Sequence, residues 1–146
     1  MQAAGSVSLT HLFELLDEKT RWSIMSVYKD QQKMCELIRT HYPKQVQARE
    51  LRRCHLAASS RDVAAFFAAN VKQDRGLIDP LLQFTAPGRQ EGSGTKVELV
   101  SQGRRLAFCK EDGGWGYCGL RERVERLKVK SARDLTTVRE NSESYR

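Results

Sequence analysis

The chain has 146 residues, of which 40% are hydrophobic and 29% charged, and its formal net charge is +7. These values are typical of one folded domain over residues 1–146, and they exclude an intrinsically disordered chain. The sequence contains no apolar run of the roughly 20 residues that cross a bilayer, and it begins without a signal peptide. It therefore predicts either a cytosolic protein or one from which a signal has been removed.

The first half of the chain, residues 1–73, is predicted to be helical, beginning with a short helix. Apolar residues then recur at three- and four-residue steps over residues 19–42, which predicts a long amphipathic helix. Pro43 ends it, because proline cannot continue the backbone hydrogen bonding of a helix. A second helix over residues 45–58 would complete a helical hairpin.

A helical element and two irregular segments follow the hairpin. Asp62 would cap a third short helix, whose apolar residues extend to Val71. Residues 77–84 are apolar but include Pro80, which favours an extended edge segment or a buried loop. Residues 86–95 are rich in glycine and nearly free of hydrophobic side chains, so they predict a mobile loop.

Residues 96–119 predict a three-stranded antiparallel β-meander, with strands over residues 97–101, 104–110 and 115–119. Alternation places six apolar side chains on the core side of this sheet: Val97, Leu99, Leu106, Phe108, Trp115 and Tyr117. The fold class is therefore α+β, with the N-terminal helical hairpin and the short helix packed on one face of the meander. At such a buried position, truncating Trp115 to alanine should cost about 3 to 5 kcal/mol.

The C-terminal segment, residues 120–146, fits two patterns. Its apolar residues at 120, 124, 127, 135 and 138 share one face of a helix, whereas residues 126–130 alternate like a strand. We favour the helix, with a polar and frayed end over residues 141–146.

Four cysteines give the strongest information about the environment of the protein. No two of them are spaced as Cys-x-x-Cys, which disfavours a zinc ribbon or a thioredoxin-type site. Cys109 and Cys118 are equidistant from a turn at residues 113–114 and would face each other across it. Cys35 and Cys54 are equidistant from the loop of the helical hairpin. We predict two disulfides, with buried free thiols as the alternative.

The state of these cysteines decides the predicted location. Disulfides persist outside the reducing cytosol, so two of them would place the protein in the periplasm or at the outer membrane. Four free thiols would instead indicate a cytoplasmic protein.

Groups typical of catalysis or metal binding are sparse in the sequence. The three histidines fall on different predicted helices, or at their ends, without metal-ligand spacing. The glycines of residues 113–119 lie in and after a hairpin and do not open a helix, so they fit turns better than a phosphate cradle. We therefore assign no catalytic residue, metal ligand or cofactor.

The basic residues are interleaved with acidic ones. The two densest groups, over residues 49–53 and 121–130, are both interrupted by glutamates, which favours a mixed-charge surface over a phosphate-binding stripe. We expect Arg49, Arg52 and Arg53 to contact another protein with an acidic surface. Nucleic acid is the less favoured partner.

The hairpin from Phe108 to Tyr117 carries a basic-acidic turn, Lys110-Glu111-Asp112, before a tryptophan. Together with the preceding helices, it resembles the closing hairpin of small exported bacterial proteins of the nuclear-transport-factor-2-like superfamily, which has a cone fold. For a ligand-binding or catalytic member, the resemblance implies a pocket. Its lining in this chain would consist of Trp22, Tyr28, Phe66, Phe108 and Tyr117.

These observations favour a non-enzymatic exported binding or assembly module of a bacterial cell envelope. Contact with a membrane would come only through a lipid anchor preceding Met1. One alternative is a ligand-binding or catalytic cone-fold protein, and the other is an intracellular basic protein that binds nucleic acid.

Overall fold

The computed structural model describes residues 9–78, 89–101, 103–112 and 114–146. The fold is α+β, as predicted, with helices before and after an antiparallel sheet. The helices in the described part are α1 (Leu9–Leu15), α2 (Glu18–His41), α3 (Lys44–Leu51), α4 (His55–Ser59), α5 (Val63–Gln73) and α6 (Arg121–Ser144). The strands are β1 (Arg89–Ser93), β2 (Lys96–Ser101), β3 (Arg104–Glu111) and β4 (Gly114–Tyr117).

The long amphipathic helix α2 lies within one residue of its predicted bounds. Its buried side includes Ile24, Val27 and Ile38, whereas Trp22 of the apolar pattern is exposed. The helix ends because Tyr42 is extended, with φ −74° and ψ 145°, before Pro43. The hydrophobic pattern and the proline were therefore sufficient to place this element.

The second helix of the hairpin was predicted as one element over residues 45–58, but it is two helices, α3 and α4. The chain leaves the helical conformation at Cys54, which has φ −137° and ψ 9°. Cys54 is buried and bonds Cys35 of α2, so the break occurs where the two arms of the hairpin are cross-linked. The Tyr28 hydroxyl donates to the carbonyl oxygen of Ser60 at 2.9 Å and holds the end of α4 against α2.

The third helix, α5, begins as predicted after Asp62, whose carboxylate accepts a hydrogen bond from the Ala65 amide at 2.8 Å. A 3₁₀ turn, Arg75–Leu77, follows, and Ile78 is fully buried. The rest of the predicted edge segment or buried loop, residues 79–84, lies outside the described residues.

The sheet has the order β1-β2-β3-β4, with every neighbouring pair antiparallel. The three predicted strands are confirmed, but the prediction of a mobile loop over residues 86–95 is wrong for residues 89–93, which form β1. A strand does not need apolar side chains when its backbone is paired, and Gly94, at φ 74°, makes the tight turn into β2. Arg105 of β3 also stabilises this hairpin, because it lies within 3.4 Å of Glu91 and Glu98, which face each other.

The predicted apolar side of the sheet is confirmed as one face, but helices cover only part of it. Leu106 and Tyr117 are buried in the main core. Trp115 is 50% exposed, so the prediction that it is a core residue is wrong. The reason is its place near the start of the short edge strand β4, away from the helices that pack over Tyr117.

The junction between α1 and α2 packs against the outer edge of β4. Leu16 lies beside Tyr117 in a parallel bridge, and the Asp17 amide donates to the Tyr117 carbonyl oxygen at 3.0 Å. Gly116 makes this contact feasible, because a Cβ atom there would lie 2.5 Å from the Cα atom of Asp17 and 2.9 Å from the Leu16 carbonyl oxygen. We refer to this contact of residues 16–17 with residues 116–117 as the β4 junction.

The C-terminal helix α6 resolves the ambiguity of residues 120–146 in favour of a helix. It packs along α2, and Leu135 and Val138 share a second core cluster with that helix. The prediction of a frayed end from residue 141 is wrong, because α6 continues to Ser144 and Ser142 is buried. Tyr145 packs edge-on against Tyr42, with ring centroids 4.9 Å apart.

Both predicted cysteine pairs lie at disulfide distance. The Cα atoms of Cys35 and Cys54 are 5.9 Å apart, and those of Cys109 and Cys118 are 5.8 Å apart. The second pair is not directly opposed as predicted, because the hairpin turns one residue earlier and places Cys109 opposite Gly116. Cys118 therefore meets Cys109 diagonally.

Non-reducing peptide mapping of protein made under oxidising conditions should find the Cys35–Cys54 and Cys109–Cys118 linkages. Replacing either pair with serine should lower the free energy of unfolding by about 3 kcal/mol, because the cross-link restricts the unfolded chain. Recovery of four alkylatable thiols from protein that has never been exposed to reductant would contradict both linkages.

Candidate functional site

The part of the apolar sheet face that the described helices do not cover forms a shallow cavity of about 290 Å³. We refer to it as the open face. Its described lining is four apolar side chains and one amide: Val97, Leu99, Phe108, Trp115 and Gln90.

The register of the sheet brings these residues together from all four strands. Val97 of β2 lies opposite Phe108 of β3, and Leu99 lies opposite Gln90 of β1. Phe108 also packs edge-on against Tyr117, with ring centroids 5.7 Å apart, so the floor of the open face continues into the core. Strand pairing, which is rigid compared with a loop, therefore fixes the position of each lining side chain.

Lys110 gives the open face a positive charge. It lies directly opposite Trp115 in the β3–β4 pair, so both side chains project from the same face of the sheet. Lys110 is exposed, and among the described residues its ammonium group has no ion pair. A cation beside an exposed indole and an apolar floor can bind an acidic group next to an apolar one.

On the opposite face of the sheet, Arg105 forms ion pairs with acidic side chains. The hydrogen bond and charge of Glu91, together with Glu98, raise the pKa of the Arg105 guanidinium above its ordinary value. The two faces therefore differ in character, since Arg105 on the polar face forms ion pairs with two glutamates, whereas Lys110 forms no ion pair among the described residues.

A partly buried charged cluster lies next to the β4 junction. Arg121, at the start of α6, donates from Nε to Asp17 at 2.6 Å and from Nη2 to Glu111 at 2.7 Å. The Asp17 side chain is 1% exposed, and Thr20 donates to its other carboxylate oxygen. These contacts join the α1–α2 junction, the end of β3 and the start of α6, so we refer to Asp17, Glu111 and Arg121 as the junction cluster.

The two carboxyl groups of the junction cluster influence each other. Burial, together with the hydrogen bond and negative charge of Asp17, raises the pKa of Glu111 above its ordinary value, although Arg121 opposes this shift. Desolvation lowers the pKa of Arg121, but the two carboxylates more than compensate and raise it. All these polar contacts are within the protein, which is typical of a cluster that fastens structural elements.

The predicted aromatic pocket is not found as one cavity in the described part of the chain. Tyr28 and Phe66 pack against each other in the main core, with ring centroids 5.1 Å apart. Trp22 is 59% exposed on α2, and Phe108 and Tyr117 belong to the sheet. Phe66 lines a cavity between α2, α5 and α6, and Phe108 lines the open face, so the described residues do not bring these five side chains together in one cavity.

The three arginines of the predicted partner surface have different environments. Arg53 lies 3.3 Å from Glu50 and 3.4 Å from Asp134, so it links the α3–α4 connection to α6. Arg49 is exposed and lies 3.6 Å from Glu50. Arg52 is exposed and has no side-chain ion pair within the described ranges. Only Arg49 and Arg52 are therefore accessible to a partner at little cost to the fold.

Three basic side chains of α6, Arg126, Lys128 and Lys130, are paired with acidic ones on the same helix. Arg126 bonds Glu122 at 3.0 Å, and Lys130 bonds Asp134 at 2.8 Å. Within the described residues, no group of three or more histidine, cysteine or acidic side chains is arranged to hold a metal ion. None of the described helices is both long enough and apolar enough to span a membrane.

No protein-family model, curated protein or solved structure matches the chain. The site is therefore defined by its own residues, and two features of it were missed from the sequence. Asp17 occupies the N-cap position of α2, although its side chain makes no cap hydrogen bond, and its contacts with Glu111 and Arg121 span about a hundred residues. Lys110 was missed as a site residue because Trp115 beside it was assigned to the core.

Glu111→Gln should change how stability depends on pH. Because the pKa of Glu111 is raised in the folded protein, the folded state binds more protons than the unfolded state at pH values above the unfolded pKa of about 4.3. The contribution of Glu111 to the free energy of unfolding therefore falls as the pH rises from that value through the folded-state pKa. Urea titrations across this range should show the free energy of the wild type decreasing relative to that of Glu111→Gln.

Glu122→Gln is the control, because Glu122 is a highly exposed carboxylate on α6. Its free-energy difference from the wild type should change less with pH than that of Glu111→Gln. If the free energy of unfolding of the wild type increased relative to that of Glu111→Gln as the pH rises, the effect of the junction cluster would be contradicted.

Proposed function

We propose that the protein is a non-enzymatic binding or assembly module that works outside the reducing cytosol, in a bacterial cell envelope, and binds another protein through the open face. The apolar floor of that face, with the exposed Trp115 beside it, carries the proposal. Val97, Leu99 and Phe108 form a continuous floor beside an indole that is half exposed. Contiguous apolar surface of this kind marks interaction sites in folded proteins.

The shape of the open face favours a protein partner over a small ligand. Small-molecule sites enclose most of the surface of their ligand. Here Trp115 is half exposed and Leu99 and Phe108 are only partly buried, so an occupant would be covered on one side. A protein segment laid across the sheet fits that geometry.

The two cysteine pairs support a location in an oxidising compartment. A periplasmic or outer-membrane-associated protein, with or without a lipid anchor, is consistent with them. The resemblance to the nuclear-transport-factor-2-like superfamily stays a prediction.

The distribution of charge supports a partner with an acidic surface. The chain carries a net charge of +7, and Lys110, Arg49 and Arg52 are accessible cations. Many basic residues of α6 have acidic neighbours, which disfavours a run of phosphates as the ligand. The charges of the junction cluster pair with each other within the fold, which supports a role in binding over one in catalysis.

A photo-crosslinking amino acid in place of Trp115, introduced in the producing cell, should give one discrete covalent adduct with another protein. The same substitution at Trp22 is the matched control, since Trp22 is also an exposed tryptophan but lies on α2. Adducts of the same pattern at both positions, or no adduct at residue 115, would contradict binding at the open face.

A further inference from the structure

We propose that the open face binds an acidic segment of the partner protein. This segment places a bulky apolar side chain on the floor formed by Val97, Leu99 and Phe108, and it places a neighbouring carboxylate on Lys110. This inference rests on the proposed function and deepens it, because it specifies the chemistry of the partner.

The floor provides the apolar half of the site. The cavity above it has a volume of about 290 Å³, which corresponds to roughly ten water molecules. Water on an apolar floor has few hydrogen-bonding partners, so an apolar side chain that replaces it gains affinity. Trp115 at the margin adds a rigid aromatic contact, the kind of side chain that is enriched at the centre of protein interfaces.

Lys110 provides the charged half of the site. Its position opposite Trp115 places its side chain on the same face of the sheet as the floor, and among the described residues it forms no ion pair. Gln90 is the one polar side chain of the described lining, and it can hydrogen-bond without favouring either sign of charge. The site therefore selects a carboxylate beside the apolar side chain, and it disfavours a basic one.

The same charge argues against a second copy of this chain as the occupant. Two copies that met at their open faces would each bring a Lys110 without an ion pair among the described residues into the interface, and each copy carries a net charge of +7. Like charges across an interface cost affinity and slow association. An acidic partner removes both penalties.

The probes are three synthetic peptides that differ in charge and in the apolar side chain. They are acetyl-Gly-Ser-Glu-Phe-Glu-Ser-Gly-amide, the same peptide with lysines in place of the glutamates, and the glutamate peptide with alanine in place of phenylalanine. The protein carries Trp22→Phe, which leaves Trp115 as its single tryptophan, so the fluorescence of Trp115 reports binding at the open face. Trp22 is exposed, and its replacement should preserve the fold.

The glutamate peptide with phenylalanine should bind about tenfold more tightly than either of the other two, the difference expected for one charge-assisted hydrogen bond or one buried apolar side chain. Lys110→Glu should reverse the preference, so that the lysine peptide binds more tightly than the glutamate peptide. Lys96→Glu is the matched control, because it makes the same change in net charge on the opposite face of the sheet. It should leave the preference for the glutamate peptide in place.

Equal binding of the glutamate and lysine peptides would overturn the proposal, and so would unchanged Trp115 fluorescence up to millimolar peptide. An effect of Lys96→Glu on the peptide preference equal to that of Lys110→Glu would also overturn it. A fourth contradicting result is that the protein alone forms a dimer which Trp115→Ser dissociates. In the first three cases, a discrete cross-link from residue 115 would still support the proposed function, which separates its failure from the failure of this inference.

Discussion

The close approach of the Leu16–Asp17 backbone to β4 is the constraint on which the rest of the structure depends. It brings the start of the longest hairpin helix, α2, to the edge of the sheet. The absence of a side chain at Gly116 allows the approach, and the Asp17 amide pairs with the Tyr117 carbonyl oxygen. Because β4 is an edge strand of four residues, it has little pairing of its own to rely on.

Two further links reinforce the β4 junction. Arg121 bonds Asp17 and Glu111, which fixes the start of α6 to the end of β3. The Cys109–Cys118 disulfide joins β3 to the connection between β4 and α6. As a result the helices are anchored over Tyr117, and the part of the sheet around Trp115 extends beyond them. The open face is thus a consequence of where the helices are attached.

Much of the fold could be predicted from local pattern. The stripe of α2, its proline stop and the alternation in β2 and β3 identify these elements without knowledge of their partners. The symmetry of the cysteines about two turns was sufficient to pair them, even though the hairpin register differs from the predicted one. In each case the determining interactions lie within the element or across one turn.

The features that could not be predicted depend on distant contacts. Strand β1 has no hydrophobic signal, because its pairing with β2 and the bridging Arg105 stabilise it. The exposure of Trp115 depends on how far the helices reach over the sheet, which alternation within a strand does not reveal. The junction cluster combines residues 17, 111 and 121, and no spacing rule connects them.

The most direct test of the β4 junction is the stability of Gly116→Ala compared with Gly94→Ala, measured by urea unfolding with amide exchange of Asp17. An alanine at residue 116 would collide with backbone atoms and should cost about 3 kcal/mol, with faster exchange of the Asp17 amide. At residue 94 no atom lies within 4 Å of the added Cβ, and the cost should be about 1 kcal/mol from the positive φ alone. Equal costs for the two variants, with unchanged exchange of the Asp17 amide, would contradict the account.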